Sequence, residues 1–254
     1  MKLHPKLFMI LLVIDIILIA ILKANGLSLW QTLLLLVSME MVLYCVYAIL
    51  YSLRLQRILD EKCDPVDYLN RILKQKERMK YKPKLLALVS INEAVAHMLL
   101  GDTALAKSIL ADIDKKYLSD RNGTRLVYTM DYILCCYELG ELEEANQLYD
   151  QELPLLSPVT KRLKKSMQIL IGERYYYLGQ YEESAKHLKR LLDIELTTRQ
   201  QLVILYLLAR MELLQGNYER AAKKLKKVVR FGNKLWIAEE AGRLLLQKEL
   251  KAYE

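Results

Sequence analysis

The sequence predicts an all-α protein: a two-helix N-terminal transmembrane hairpin, then an α-solenoid of about four helix pairs with capping helices. Three observations predict it. The chain of 254 residues holds only nine Gly and five Pro, too few for a turn-rich β-sandwich or barrel, for collagen or for low-complexity disorder. Its apolar residues crowd into two runs near the N-terminus. Four glycines then recur at a near-constant interval, the mark of a repeated supersecondary unit. The 53% hydrophobic content beside 27% charged residues implies two populations of segments in one chain. Four Cys make no disulfide framework.

The first element is the hairpin, residues 1–53, with spans at about 7–23 and 29–53. Leu7 to Leu22 contains one charge, Asp15, and Leu29 to Leu53 contains one, Glu40. At about 1.5 Å per residue the second run crosses a hydrocarbon core of about 30 Å, and the first does so with its flanks. Asn25-Gly26 between them reads as a tight turn, and Trp30 is placed for an interface. Lys2 and Lys6 precede the first run, Arg54, Arg57 and Lys62 follow the second, and Lys23 alone lies between. The positive-inside rule therefore puts both termini in the cytoplasm. A cleaved signal peptide is the competing reading; Asp15 interrupts its apolar region and Leu22-Lys23-Ala24 is a weak cleavage site. A reducing cytoplasm suits Cys63, Cys135 and Cys136 as free thiols.

Asp15 and Glu40 fall near the middle of their spans, where a carboxylate is expensive and marks a functional hypothesis. Glu40, Tyr44, Tyr47 and Tyr51 share one helical face. Two readings stand. The residues form a polar seam that recognises a partner's span, or the two acids are a protonated pair satisfied within the hairpin.

A juxtamembrane basic linker and capping helix occupy 54–83. Asp64-Pro65 is a cap followed by Pro at the first helical position, opening a helix to about Lys80. The repeat follows over 84–231. Gly101, Gly140, Gly179 and Gly216 are spaced by 39, 39 and 37 residues. Five residues after each stands a small residue: Ala106, Ala145, Ser184, Ala221. Nine after each stands an apolar one: Leu110, Tyr149, Leu188, Leu225. The glycine takes the left-handed cap that ends the first helix of a pair. The small residue lets the second helix cross closely, and the apolar one fills the space between pairs. Asn233 to Lys251 then forms a last helix, within 232–254, whose Trp236, Ala238, Ala241, Leu244 and Leu245 cover the final repeat.

Here the chain resembles the tetratricopeptide repeat family. In the third repeat Gly172 and Tyr175 stand where that family places its first-helix small residue and aromatic, and Gly179, Tyr181, Ser184 and Leu188 follow its second-helix pattern. The fourth repeat keeps Ala209, Gly216, Tyr218, Ala221 and Leu225. The second keeps Gly140, Ala145 and Tyr149, and the first Ala94, Gly101, Ala106 and Leu110. The period departs from the family's 34 residues. The first-helix Trp and most closing prolines are missing, which implies longer linkers and a less regular superhelix. Another helix-pair solenoid is the alternative.

The resemblance implies a concave groove, built by the first helices, that holds an extended peptide or a helix. The matching positions are Val127, Met130, Leu134, Tyr137 and Glu138; Ser166, Ile169, Glu173, Tyr176 and Tyr177; and Val203, Tyr206, Arg210, Leu213 and Leu214. In the first repeat they are Leu88, Ile91, Val95, Met98 and Leu99, wholly apolar and expected to be covered by the preceding helix. The Lys/Asn/Arg clamp that one subset of the family closes on a carboxylate is absent. Met130, Leu134, Tyr137, Tyr176, Tyr177 and Tyr206 instead offer an adaptable aromatic surface. Glu173 and Arg210 orient a polar ligand group or pair with each other. The rival reading packs half of these tyrosines between helices.

The net charge of +8 is local. Lys74, Lys76, Arg78, Lys80, Lys82 and Lys84 follow the membrane segment closely and suit anionic lipid, at about 1 kcal/mol per basic residue near the surface. Further clusters lie at Lys161–Lys165 and Arg220–Lys234, where solvated helix faces are the plain reading. No nucleic-acid motif accompanies them, and no such partner is expected. His4, His97 and His187 have no evident metal partners, and the adjacent Cys135 and Cys136 fit no ligand spacing. No phosphate loop, dinucleotide fingerprint or nucleophile elbow is present. Catalysis, cofactor and metal are therefore not expected. The expected function is a membrane-anchored adaptor or scaffold that binds a protein or peptide partner at the cytoplasmic face. The alternative is a small subunit or assembly factor of a membrane complex, acting through Asp15 and Glu40.

Overall fold

The computed structural model describes residues 28–251, together with Ile19, Ala24 and Gly26. Apart from Ile19, the expected first span, with Asp15 and Lys23, lies outside the described residues, as do Lys2 and Lys6. Every regular element among the described residues is helical, with no strand. The chain divides into two units, Met1–Leu55 and Gln56–Glu254.

The first long helix, α1, runs Leu29–Asp60. It opens on a reciprocal cap: the Gln31 amide donates to Ser28 Oγ at 3.4 Å and the Ser28 amide donates to Gln31 Oε1 at 3.0 Å. These two bonds use donors that the first turn of a helix leaves free. Its apolar stretch is uncovered, with Leu34, Val37, Met41, Ile49 and Leu50 all exposed. The helix does not stop at Leu53 but continues to Asp60. It ends where Cys63 takes the left-handed conformation (φ 51°) and the Asp64 amide donates to the Ile58 carbonyl at 3.1 Å.

The second unit is built from consecutive helices. α2 is Pro65–Met79, capped by Asp64, whose side chain accepts from the Asp67 amide. Then come α3 (Pro83–Leu100) and α4 (Thr103–Ala111), α5 (Thr124–Glu138) and α6 (Leu142–Gln151), α7 (Lys161–Tyr177) and α8 (Tyr181–Leu191), and α9 (Thr198–Leu214) and α10 (Tyr218–Phe231). α11 is Trp236–Leu245 and α12 is Lys248–Lys251. Two described helices, Trp30–Asp60 and Pro83–Leu100, are long and apolar enough to cross a membrane. The second packs against α2, α4 and α5, so the helical core accounts for its apolarity.

The repeated glycines do what their spacing requires. Gly101, Gly140, Gly179 and Gly216 have φ of 89°, 79°, 74° and 73°. Each ends its helix in the double bond of a left-handed cap. Gly101 N–H donates to the Met98 carbonyl and Asp102 N–H to that of His97, and the pattern repeats at the other three. Ala106, Ala145, Ser184 and Ala221 are fully buried, as are Leu110, Leu188 and Leu225. Tyr149 is half-buried, with the Arg174 guanidinium 4.0 Å above its ring.

Two expectations need correction. The last helix does not run unbroken from Asn233 to Lys251. Asn233 takes φ 47° and donates its side-chain amide to the Lys62 carbonyl at 2.9 Å. Helix therefore begins only at Trp236, and it breaks again after Leu245. Nor is the apolar face of α3 wholly covered. Ile91 is buried with Ala94 and Leu110, but Leu88 remains exposed.

The first helices of the pairs also touch one another in turn: α3 with α5, α5 with α7, α7 with α9, and α9 with α11. α11 touches α3 in addition, which closes the sequence into a ring. Trp236 Cβ lies against Gly101, where an added Cβ would meet it at 3.2 Å.

Candidate functional site

The ring of inner helices lines a half-open cavity of about 820 Å³, within the size range of small-molecule and short-segment sites. Its wall is a set of helical stripes. α5 contributes Val127, Met130, Asp131, Leu134 and Glu138. α7 contributes Ser166, Ile169, Glu173, Tyr176 and Tyr177, and α9 contributes Arg199, Val203, Tyr206 and Arg210. Val95, Met98 and Leu99 come from α3, and Trp236 and Ile237 from α11. Of the expected groove residues, Met130, Leu134, Glu173, Tyr176, Tyr177, Tyr206 and Arg210 line the cavity. Tyr137 does not. It is 2% exposed and donates its hydroxyl to Asn146 Oδ1 at 2.9 Å, so it packs between α5 and α6. Leu88, Ile91, Leu213 and Leu214 also lie off the wall.

The aromatic residues form two groups. Tyr177 stacks on Tyr137 at 5.4 Å, 2° from parallel, and meets Tyr176 edge-on at 5.4 Å. Tyr206 meets Trp236 edge-on at 5.6 Å. Arg210 does not pair with Glu173. Its Nη1 donates to the Tyr206 hydroxyl at 2.9 Å.

Charge on the wall is divided. At one place the buried Asp60 takes Arg162 Nη2 at 2.6 Å and Arg199 Nε at 3.0 Å. Elsewhere Asp131, Glu138 and Glu173 converge from α5 and α7. Glu138 accepts from Thr103 Oγ1 at 2.5 Å. Glu173 has no hydrogen-bond partner among the described residues and is 7% exposed. Asp131 Oδ2 is buried without a partner. Burial pushes Glu173 up to about 8, the Glu138 and Asp131 charges adding to it against Arg199. Burial likewise pushes Asp131 up to about 7, opposed by Arg199. Two carboxyl groups on this wall thus hold protons near neutrality, because desolvation disfavours the ionised form.

Sequence reasoning missed Asp131, Asp60, Arg162, Arg199 and Trp236. Asp131 carried a usable signal, standing one residue beyond Met130 and four beyond Val127 on the same stripe. Arg199 and Asp60 carried none, being joined only by tertiary structure.

The other expected site residues lie apart. On α1, Glu40 is exposed, as are Tyr44 and Tyr47, and Tyr47 stacks on Tyr51 at 6.2 Å. In the basic segment Lys74, Arg78, Lys80, Lys82 and Lys84 are exposed around Tyr81, which is 86% exposed. Lys76 is taken up by Glu93 at 2.5 Å. Cys136, Glu141 and Glu144 bring ligand-type atoms within 4.8 Å of one another. The Lys107 ammonium already sits on both carboxylates, and burial, with the Glu144 charge, pushes the Cys136 thiol up to about 12. Compared with protein-family models, with curated proteins and with solved structures, the chain finds no match.

Proposed function

We propose that this protein is a membrane-anchored, tetratricopeptide-like adaptor that holds a peptide segment of a partner protein inside the ring of its first helices. In this reading α1 and the preceding apolar run form the transmembrane hairpin, and both termini are cytoplasmic. The helix pairs 84–231 are a short solenoid whose groove is closed by the C-terminal helix. The observation that carries the reading is the cavity wall. Most of the first-helix positions that the resemblance assigns to ligand contact line one cavity, with aromatic, sulfur and carboxyl groups converging on it. The exposed basic segment around Tyr81 suits an anionic lipid surface, and tethering raises the effective concentration of a partner on the same bilayer.

The test is site-specific photocrosslinking in cells from Tyr177 and Tyr206, with Tyr218 on α10 as an outward control. A partner captured from the first two positions and not from the third is expected. Equal capture from all three sinks the reading. A cytoplasm-dependent reporter fused to the C-terminus tests the topology; a silent reporter overturns it.

A second reading is favoured by the exposure of Glu40, Tyr44 and Tyr47 on an apolar helix. There the hairpin itself joins a membrane complex. Asp15→Asn combined with Glu40→Gln separates the two: the adaptor reading keeps the Tyr177 crosslink, and the hairpin reading loses the complex.

A further inference from the structure

We propose that the cavity recognises an organic cation, the ammonium or guanidinium of a Lys or Arg side chain flanked by apolar residues in the partner segment. The peptide source rests on the proposed function; the cation site rests on the cavity itself.

Glu173 is the key group. It lines the cavity, is 7% exposed and has no hydrogen-bond partner among the described residues. A buried polar group left so is costly unless something else satisfies it. Asp131, with one buried oxygen unpartnered, and Glu138, which receives only the Thr103 hydroxyl, stand on the facing helix α5. The guanidinium groups of the wall are already engaged. Arg162 and Arg199 are on Asp60, and Arg210 is on the Tyr206 hydroxyl. Among the described residues, then, no cation of the wall bonds to Glu173 or Asp131, and Arg199 acts on them only through its charge. Tyr176, Tyr177, Tyr206 and Trp236 line the same cavity, although Tyr177 stacks on Tyr137 and Arg210 lies 5.8 Å from the Tyr206 ring centre. Aromatic rings beside carboxylates suit a partly desolvated organic cation. Met130, Leu134 and Val203 suit the apolar stem of such a side chain.

The same geometry sets a proton balance. Glu173 interacts with Asp131 and Glu138 from α5, Arg199 from α9 and Tyr177 on its own helix, and Tyr176, Tyr206 and Arg210 line the same cavity. α3 and α11 contribute Asn92 and Trp236, which do not titrate. On α8 behind it, His187 is held by the Gln168 carbonyl at 2.8 Å. An arriving cation stabilises the ionised carboxylate, so Glu173 gives up its proton to solvent as the ligand enters.

The test uses the full chain in detergent micelles with Trp30→Phe, which leaves Trp236 as the sole indole. The probes are acetyl-Leu-Lys-Leu-amide, its neutral norleucine counterpart, and cadaverine. The lysyl probe is expected to perturb Trp236 emission and to bind about tenfold more tightly than the neutral one, the scale of one charge-assisted hydrogen bond. Glu173→Gln should weaken the lysyl probe by about tenfold and leave the neutral probe unchanged. It should also reduce the buffer-dependent heat of proton release at pH 7, leaving only the share that Asp131 contributes. Helicity and melting are followed in parallel, and Glu138→Gln supplies a second variant if Glu173→Gln fails to fold. Equal affinity for the two peptides, indifference to both substitutions, or no response to any probe at millimolar concentration overturns the inference. Equal affinity beside a Tyr177 crosslink removes the cation and keeps the peptide-binding reading. Glu173-dependent binding of cadaverine as tight as that of the peptide keeps the cation site and removes the peptide.

Discussion

Asp60 and Arg199, 139 residues apart in sequence, are joined by a 3.0 Å bond between Oδ1 and Nε, while Arg162 Nη2 holds the other carboxylate oxygen at 2.6 Å. One acid from the end of α1 therefore ties α7 to α9 at the cavity wall.

Asp60→Ala leaves two guanidinium groups without the carboxylate that bonds them both. Removing one partner of a buried pair typically costs 3–5 kcal/mol. Arg162 is 40% exposed and Arg199 20%, so water recovers part of the loss, and about 2–3 kcal/mol is expected. Thermal melting of the full chain in micelles checks it. A melting temperature equal to wild type would show that the triad adds nothing to stability.

Gly172 and Gly179 should respond to alanine for different reasons. At Gly172 an added Cβ would meet Leu188 Cδ2 at 2.3 Å and Cγ at 2.7 Å. Leu188 is fully buried and cannot swing away, so overpacking of about 1–3 kcal/mol is expected. The bond from Ser184 Oγ to the Gly172 carbonyl, 2.8 Å, would be strained with it. At Gly179 nothing lies within 4 Å of the added carbon. Only the left-handed backbone resists, at about 1–2 kcal/mol. Adding Leu188→Ala should recover part of the first loss and none of the second. Equal behaviour of both glycines in that cycle would refute the distinction.

The thiols give a third test. Cys63, Cys135 and Cys136 are buried, and Cys45 is exposed on α1. Burial pushes the Cys63 thiol up to about 11 and the Cys135 thiol higher still. The thiolate is the reactive form. A hydrophilic maleimide should therefore leave these three unmodified in the native chain and label them on denaturation. Prompt native labelling at Cys135 would mean that α5 is not packed as described.

The αL caps at Gly101, Gly140, Gly179 and Gly216 and the buried small residues after them were legible because they are local. Each follows from a backbone conformation or one helix crossing, and a period in the sequence records it. Met130, Leu134, Glu173 and Tyr206 were legible through the family resemblance, which assigns their first-helix positions to the groove, and they line the cavity. Tyr137 was not; it adjoins the α5 stripe but is held in the core by its bond to Asn146 and its stack on Tyr177. Ring closure was not legible either. It depends on Trp236 reaching Gly101 across the length of the domain, and no spacing rule relates those two residues.

Glu173 and Asp131 make stability depend on pH in a direction opposite to a salt-bridged acid. Glu173 has an ordinary value of 4.5 and is held up to about 8 by burial and by the neighbouring carboxylates. Below 4.5 the group is protonated both folded and unfolded, and it contributes no difference. Between 4.5 and about 8 the folded state keeps the proton and the unfolded state loses it. The native state then binds more protons, so stability falls as pH rises through that window and levels off above it. The slope is at most about 1.4 kcal/mol per pH unit for each such group. Asp131 adds the same sign up to about 7. Glu173→Gln, which carries no ionisable group at that position, should match wild type near pH 4, below the unfolded value of 4.5, and exceed it at pH 8. Denaturant midpoints of both chains at the two pH values measure this. A variant less stable than wild type at pH 8 would mean that Glu173 is ionised and paired in the folded protein, which would also remove the basis for an incoming cation.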